Sequence, residues 1–252
     1  MPVHKTRGVS LRKRDYSNTS QVVTFLTPDH GRLSVLAKGS KRPRSAFGGP
    51  FDVSALYELV FISRRMGLHL LTEATLLDNF QSIRKGYPLM AAASTVVELA
   101  LASSQPDQQS PKLFELVADA LRGLKPGTSP EMLLLAFEAK LLENLGLFPE
   151  LKRCAVCGAA PAKQAARLSL GDGGIVCESC NVAAAAVLPA SPAALSLFAR
   201  LRTLPLDKVG RLRAPRNLFR ELGDLLAKMV SYALETEIRS FTFAQPGVVT
   251  FQ

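Results

Sequence analysis

The chain has 252 residues, 47% apolar and 21% charged, with 17 glycines and 16 prolines, the make-up of an ordinary folded globular protein with core enough for one to three domains. Residues 1–8 are basic but no apolar stretch follows them, and the most apolar helical stretch, residues 89–102, falls short of the roughly 20 residues a bilayer requires, so neither a secretory signal nor a transmembrane segment is expected. A formal net charge of +10 predicts attraction to polyanions, whether DNA, RNA or an anionic membrane.

The charge is concentrated at the start. Residues 1–50 hold ten cations, Lys5, Arg7, Arg12, Lys13, Arg14, Arg32, Lys38, Lys41, Arg42 and Arg44, against Asp15 and Asp29, which accounts for eight of the ten excess charges. The same region reads as short strands. Residues 21–27 (QVVTFLT), 32–38 (RLSVLAK), 51–62 and 66–76 are rich in β-branched, aromatic and leucine side chains. Pro28, Asp29, His30 and Gly31 supply turn chemistry between the first two. In residues 51–62, Phe51, Val53, Ala55, Tyr57, Leu59 and Phe61 fall on one face at period two, with Asp52, Ser54 and Glu58 between them, so one face is expected to be buried. Several strands within about 80 residues and no helical period predict a small closed β unit, of OB type or SH3-like. Residues 39–50 (GSKRPRSAFGGP) cannot continue a central strand and are expected to form an exposed cationic loop.

After residue 79 the period becomes helical. Helices are predicted over residues 88–103, 111–124, 131–147, 192–204 and 215–236, several with proline or serine at their starts. Leu134, Phe137, Leu141 and Leu145 form one apolar stripe, with Glu138, Lys140, Glu143 and Asn144 on the polar side. Leu218, Leu222, Leu225, Met229 and Ala233 form another. The helices are expected to pack as a bundle interrupted by a cysteine segment. The expected organisation is therefore α+β: an N-terminal β-barrel over residues 1–79, a helical domain over 80–150 and 182–243, and a metal-binding insert over 151–181.

All four cysteines fall in that insert, as Cys154, Cys157, Cys177 and Cys180: C-x2-C, nineteen residues, C-x2-C. Two such turns present four thiolates to one tetrahedral Zn²⁺, and Gly158 eases the first turn. With no ligand position left for water, the metal would be structural. Two redox dithiols or disulfides are the competing reading, but a chain that is not exported sits in a reducing compartment. The neighbouring Lys152, Arg153, Lys163 and Arg167 read as solvated surface charge.

A nucleic-acid interface needs cations along a groove for phosphates and flat faces for unpaired bases. The barrel region offers Arg12, Lys13, Arg14, Arg32, Lys38, Lys41, Arg42 and Arg44, with Arg64 and Arg65 at a further turn. Tyr16 and Phe47 are aromatics outside the strand alternation. No helix-turn-helix or Cys/His finger is present, so binding should be independent of base sequence. His4, His30 and His69 show no ligand spacing, and Walker A, HExxH and GxSxG are absent, so no reaction is expected. An RNA-binding protein, a thiol-dependent enzyme and a scaffold with incidental charge are the alternatives.

The run from Phe25 through Thr27, Gly31-Arg32 and Ala37-Lys38-Gly39 to Arg44-Ser45 resembles the RecO family of bacterial recombination mediators. So do Phe137-Glu138, Leu141-Leu142, Leu145-Gly146, Pro149 and Cys154-x2-Cys157-Gly158, in the same order along nearly the whole chain. The resemblance implies an OB fold, a helical domain and a four-cysteine zinc site in a bacterial cytoplasmic protein without enzymatic activity. It implies binding and annealing of single- and double-stranded DNA, engagement of RecR and of the single-stranded DNA-binding protein, and loading of RecA. Lys38, Lys41, Arg42 and Arg44 become the DNA-contact candidates, and Arg84, Lys85 or Arg122 candidates for the carboxylate of the binding protein's tail.

Overall fold

The structure is a computed structural model that describes residues 2–65, 67–160, 166–180, 182 and 187–241. It divides into two compact units, residues 1–126 and 127–252. Among the described residues, no helix is long and apolar enough to cross a membrane.

The first unit is built on a closed five-stranded barrel of OB type, with strand order β1-β2-β3-β5-β4. The strands are β1 (Val3–Asp15), β2 (Gln21–Thr27), β3 (Gly31–Ala37), β4 (Leu56–Ile62) and β5 (His69–Asp78). All pair antiparallel except β3 with β5. Closure depends on β1. Its first half pairs with β4 and its second half with β2, and Val9 is registered against both Leu56 and Leu26. A register shift between Ser10 and Arg12 gives β1 the bend that the change of partner requires.

The sequence left the first part of β1 unassigned. Lys5 and Arg7 alternate with the buried Thr6 and Gly8, a period of two hidden in a stretch poor in apolar residues. The expected strand over residues 51–62 is also shorter. Ser54 has φ +58°, outside the extended region, so the ladder starts at Leu56. Phe51 and Ala55 nevertheless join the core with Val23, Phe25, Leu33, Val35, Tyr57, Leu59, Phe61 and Leu71. Phe25, Phe51 and Tyr57 meet at centroid separations of 5.1–5.9 Å. Such a cluster leaves β1 little room inside. A Cβ on Gly8 would lie 2.8 Å from Leu59 Cδ1.

The outer face of the barrel is not all solvent. Helices α1 (Tyr87–Ser103) and α2 (Pro111–Gly123) follow a short 3-10 turn (Gln81–Lys85), and both pack on β1. Val9, Leu11, Val22 and Leu26 are buried in consequence, beyond the single buried face that alternation implied. These helices fall within the same compact unit as the barrel, residues 1–126.

The β2–β3 hairpin tip is clamped by the α1–α2 connection. The Arg32 backbone N–H donates to the Gln105 carbonyl at 2.9 Å, and Ser110 N–H to the Pro28 carbonyl at 2.9 Å. Gly31 has φ +58°, and a Cβ there would stand 2.3 Å from the Gln108 carbonyl oxygen and 2.4 Å from that of Gln105. Only glycine satisfies both constraints.

The second unit centres on α3 (Pro130–Asn144), which packs against α4 (Pro192–Thr203), α5 (Leu206–Val209) and α6 (Arg216–Leu234). Ser129 and Ser191 cap α3 and α4 by accepting from the N–H groups of Met132 and Ala194. Surrounded by helices, α3 is buried from Met132 to Ala139. Glu138, expected on its polar side, is fully buried. A small sheet of order β7-β6-β8, formed by β6 (Ala166–Ser169), β7 (Gly174–Val176) and β8 (Val187–Ala190), carries the cysteine segment.

Gly31→Ala is expected to destabilise the first unit by about 2 kcal/mol or more, from left-handed backbone strain and the carbonyl clash. A urea titration followed by circular dichroism checks it; an unchanged midpoint would mean the hairpin tip is not clamped.

Candidate nucleic-acid interface and metal centre

Most of the candidate cations converge on one end of the barrel. Arg12, Lys13 and Arg14 lie on the half of β1 that pairs only with β2, while Lys38, Lys41, Arg42 and Arg44 follow β3 in the connection to β4. The two segments are knitted together by polar side chains. Gln21 Oε1, buried, accepts from the Phe51 N–H at 3.1 Å and the Ser40 hydroxyl at 3.2 Å. Ser20 Oγ accepts from Gly39 N–H at 3.0 Å, and the Lys41 N–H donates to the Thr19 carbonyl at 3.0 Å. The loop is exposed, as its composition implied, but its base is fixed to the β1–β2 turn.

Two carboxylates share this rim. Lys41 donates to Asp15 at 2.7 Å, and Lys13 Nζ bonds the Phe51 carbonyl at 2.8 Å and lies 3.7 Å from Asp52. Asp52 also receives Arg84 at 3.1 Å. The hydrogen bond from Lys41 holds the Asp15 carboxyl below its ordinary value. Arg12, Arg14, Lys38, Arg42 and Arg44 are exposed, and their side chains make no hydrogen bond or ion pair among the described residues. By contrast, the cations on the first half of β1 are paired, Lys5 with Glu58 at 2.9 Å and Arg7 with Glu115 at 3.2 Å. Within β1, free positive charge is therefore confined to the half that reaches the rim.

Arg32 stands apart. It begins β3, about 20 Å along the strand from Lys38, and its guanidinium donates to the Leu101 carbonyl at the end of α1. Tyr16, in the β1–β2 turn, is exposed at the cationic rim, whereas Phe47 leans on Phe51 with ring centroids 5.6 Å apart. Arg64 and Arg65 are exposed between β4 and β5. Of the residues suggested for a partner's carboxylate, Arg84 is held by Asp52 and the Asn79 carbonyl, Arg122 by Asp119, and Lys85 is exposed.

The structure also gathers residues the sequence kept apart. His4, His30 and His69 surround Phe61, with His4 and His30 centroids 5.0 Å apart. Burial, reinforced by His4, pushes the His30 pKa down. Only strand register, invisible as spacing, could have revealed this group.

In the second unit the four cysteine Sγ atoms lie within 4.8 Å of one another. Cys154 and Cys180 are 3.8 Å apart, Cys157 and Cys177 3.7 Å, and Cys177 and Cys180 3.5 Å. All four are free thiols. Sulfurs at about 2.3 Å from a tetrahedral metal ion are about 3.8 Å from each other, so the donor set fits such an ion in number, chemistry and spacing.

Both turns are held by backbone. Gly158 N–H donates to the Cys154 carbonyl at 2.8 Å with φ +73° at Gly158, and Cys180 N–H donates to the Cys177 carbonyl at 3.3 Å. Backbone N–H groups of Cys157 and Cys177 hold the buried Cys154 thiol down to about 6, while its contact with Cys177 pushes Cys180 up to about 12. One site thus holds thiols of opposed proton affinity, an imbalance a bound cation removes by ionising all of them. Arg167, read from sequence as solvated charge, instead donates to the carbonyls of Cys177 at 2.7 Å and Cys180 at 3.1 Å, bracing the second turn. Lys163 lies outside the described residues.

Comparison with known proteins places these features in a lineage. Residues 1–80 match the family model described as Recombination protein O N terminal, and residues 84–241 match Recombination protein O C terminal. The chain is 32% identical over 225 residues to the DNA repair protein RecO of Bacillus pumilus (strain SAFR-032), covering 88% of this chain and 86% of that one. It is 30% identical over 241 residues to its namesake from Roseiflexus sp. (strain RS-1), covering 96% and 84%. With that of Desulforudis audaxviator (strain MP104C) it shares 31% over 246 residues, 96% of each chain.

Lys41→Ala is expected to raise the Asp15 pKa towards its ordinary value. Because that pKa is depressed in the folded protein, the Lys41 contact is intact above it and is lost as pH falls through it. A carboxyl-carbon NMR titration reads the shift; no change would show that Lys41 does not hold Asp15.

Proposed function

The chain belongs to the RecO family of DNA repair proteins, and from that premise we propose that it is a non-enzymatic recombination mediator whose barrel rim binds DNA irrespective of base sequence. The observation that carries this reading is the set of exposed, unpaired cations, Arg12, Arg14, Lys38, Arg42 and Arg44, on a rim fixed by Gln21 and Ser20. Cations without intramolecular partners repel one another, and a phosphate backbone relieves that repulsion while releasing its own counterions. Tyr16 offers an exposed ring on which an unpaired base can stack. Single strands and duplexes both bind by this means, and complementary strands anneal without ATP because screening their mutual repulsion requires no covalent step. With RecR, the protein loads RecA onto single strands covered by single-stranded DNA-binding protein, whose C-terminal tail it engages in the bacterial cytoplasm.

The four cysteines hold one structural Zn²⁺. Zinc supplies a cross-link in a segment too small for a core of its own, and four thiolates fill its tetrahedral shell.

Two experiments test these readings. Binding of a labelled single strand should weaken with salt at a log–log slope of roughly −0.7 per phosphate contact, and adding the complement should give duplex faster than without protein. Lys38→Glu with Arg42→Glu should weaken binding and leave the fold intact. Salt-independent binding, or an unaffected double variant, would remove the rim from the interface. For the metal, atomic absorption should find one zinc per chain. A strong chelator should then abolish amide protection around residues 154–180 and leave the barrel's protection unchanged; retained protection would show that the fold needs no metal there.

A further inference from the structure

The even balance of charge beyond residue 50 conceals a second cationic surface. Between the last turn of α4 and the first turns of α6, Arg200, Lys208, Arg211, Arg213, Arg216 and Arg220 are all exposed. The cation of this stretch that has a carboxylate partner is Arg202, bonded to Glu143 at 2.7 Å and stacked on Phe148. Arg213 bonds the neighbouring Leu212 carbonyl, which leaves its charge uncompensated.

Few acids lie nearby. Asp207 is the one carboxylate in residues 200–220. Glu221, the next along α6, is turned onto α4, where its two oxygens accept from the Ser191 N–H and hydroxyl at the start of that helix. Asp224, one turn on from Arg220, is half-buried; burial pushes its pKa up against the opposing pull of Lys228 and Arg220, so it offsets part of the Arg220 charge. Arg216 and Arg220 stand four apart on α6, Cβ atoms about 5–6 Å from each other on one face, while Leu222, Leu225, Leu226 and Met229 bury the opposite one.

We propose that this surface of the second unit is a nucleic-acid site of its own, so that one chain holds two strands at once, one on the barrel rim and one on the arginines around the start of α6. The inference deepens the reading of the chain as an annealing protein and rests on it. A nucleic-acid backbone fits better than an acidic peptide with an apolar end. Such a peptide needs an apolar seat among the cations. The cavity of about 310 Å³ in this unit, lined by Leu142, Phe148, Leu170, Met229, Tyr232 and Glu235 among others, has no lysine or arginine in its wall, and its one charged lining residue has the peptide's own sign. A spread of guanidinium groups instead suits a chain of evenly repeated phosphates.

The experiment is a stoichiometric titration of the full-length protein with a labelled decamer at low salt, for wild type, for Arg216→Glu with Arg220→Glu, and for Lys38→Glu with Arg42→Glu. Thermal melts confirm folding, and the corresponding pair of Arg→Gln changes replaces the reversal if it unfolds the protein. The expected result is two decamers per wild-type chain and one for each double variant, with annealing slowed in both. A wild type that binds one decamer, lost in the rim variant and kept in the α6 variant, overturns the second site and leaves the rim reading standing. One decamer lost only in the α6 variant keeps this site and removes the rim. No binding by wild type defeats both. If the α6 variant keeps both decamers but loses affinity for an acidic peptide with an apolar C-terminus, the surface is a peptide site and the proposal falls.

Discussion

Everything in the first unit depends on β1 serving two partners. A strand that pairs with β4 along its first half and β2 along its second closes the barrel, but it must bend where the partners change. It must also stay thin where it crosses the aromatic cluster. Gly8 faces Phe25 and Leu59, and the small hydroxyl of Ser10 bonds the carbonyls of Asp52 and Ala55. The overhanging end of β1 then projects Arg12 and Arg14 past the region that β4 covers. The geometry that closes the barrel is also what presents its charge.

The rim illustrates how a long, polar, glycine-rich connection is made to hold a position. A loop of this composition has no core of its own, so its base is secured by hydrogen bonds to buried acceptors, with Gln21 serving two donors from the depth of the barrel. Arg42 and Arg44 in the loop remain free because its base is anchored by neutral groups, while Lys41 pairs with Asp15. Ion pairs appear where the surface is structural, as at Lys5–Glu58 and Arg7–Glu115, and such exposed pairs add little net stability. The separation of paired from unpaired cations is thus a better guide to an interface than their number.

In the second unit, polar residues do similar positioning work around the cysteines and helix starts. Arg167 joins the sheet to the second cysteine turn, and Glu221 joins α6 to the cap of α4. The latter contact withdraws a carboxylate from a stretch otherwise dominated by arginine. Charge summed over all residues beyond 50 hides this stretch, because acidic residues elsewhere cancel it.

Local regularities were legible in the sequence. The helix starts were marked by Pro111 and Pro192 with their preceding serines, the β2–β3 turn by residues 28–31, and the four-thiol cluster by the paired C-x2-C spacing, because each arises from interactions within a few residues. Family membership was legible too, since ordered motifs survive in a linear reading. Partner choice was not. Packing of α1 and α2 on the barrel, the strand role of residues 3–8, the burial of Glu138, the diversion of Arg32 to the end of α1 and the meeting of the three histidines at Phe61 depend on which distant segments become neighbours. Composition and periodicity report the environment a residue prefers. Only the tertiary structure decides which group meets it there, because that choice is made by closing the whole barrel and filling the whole core at once.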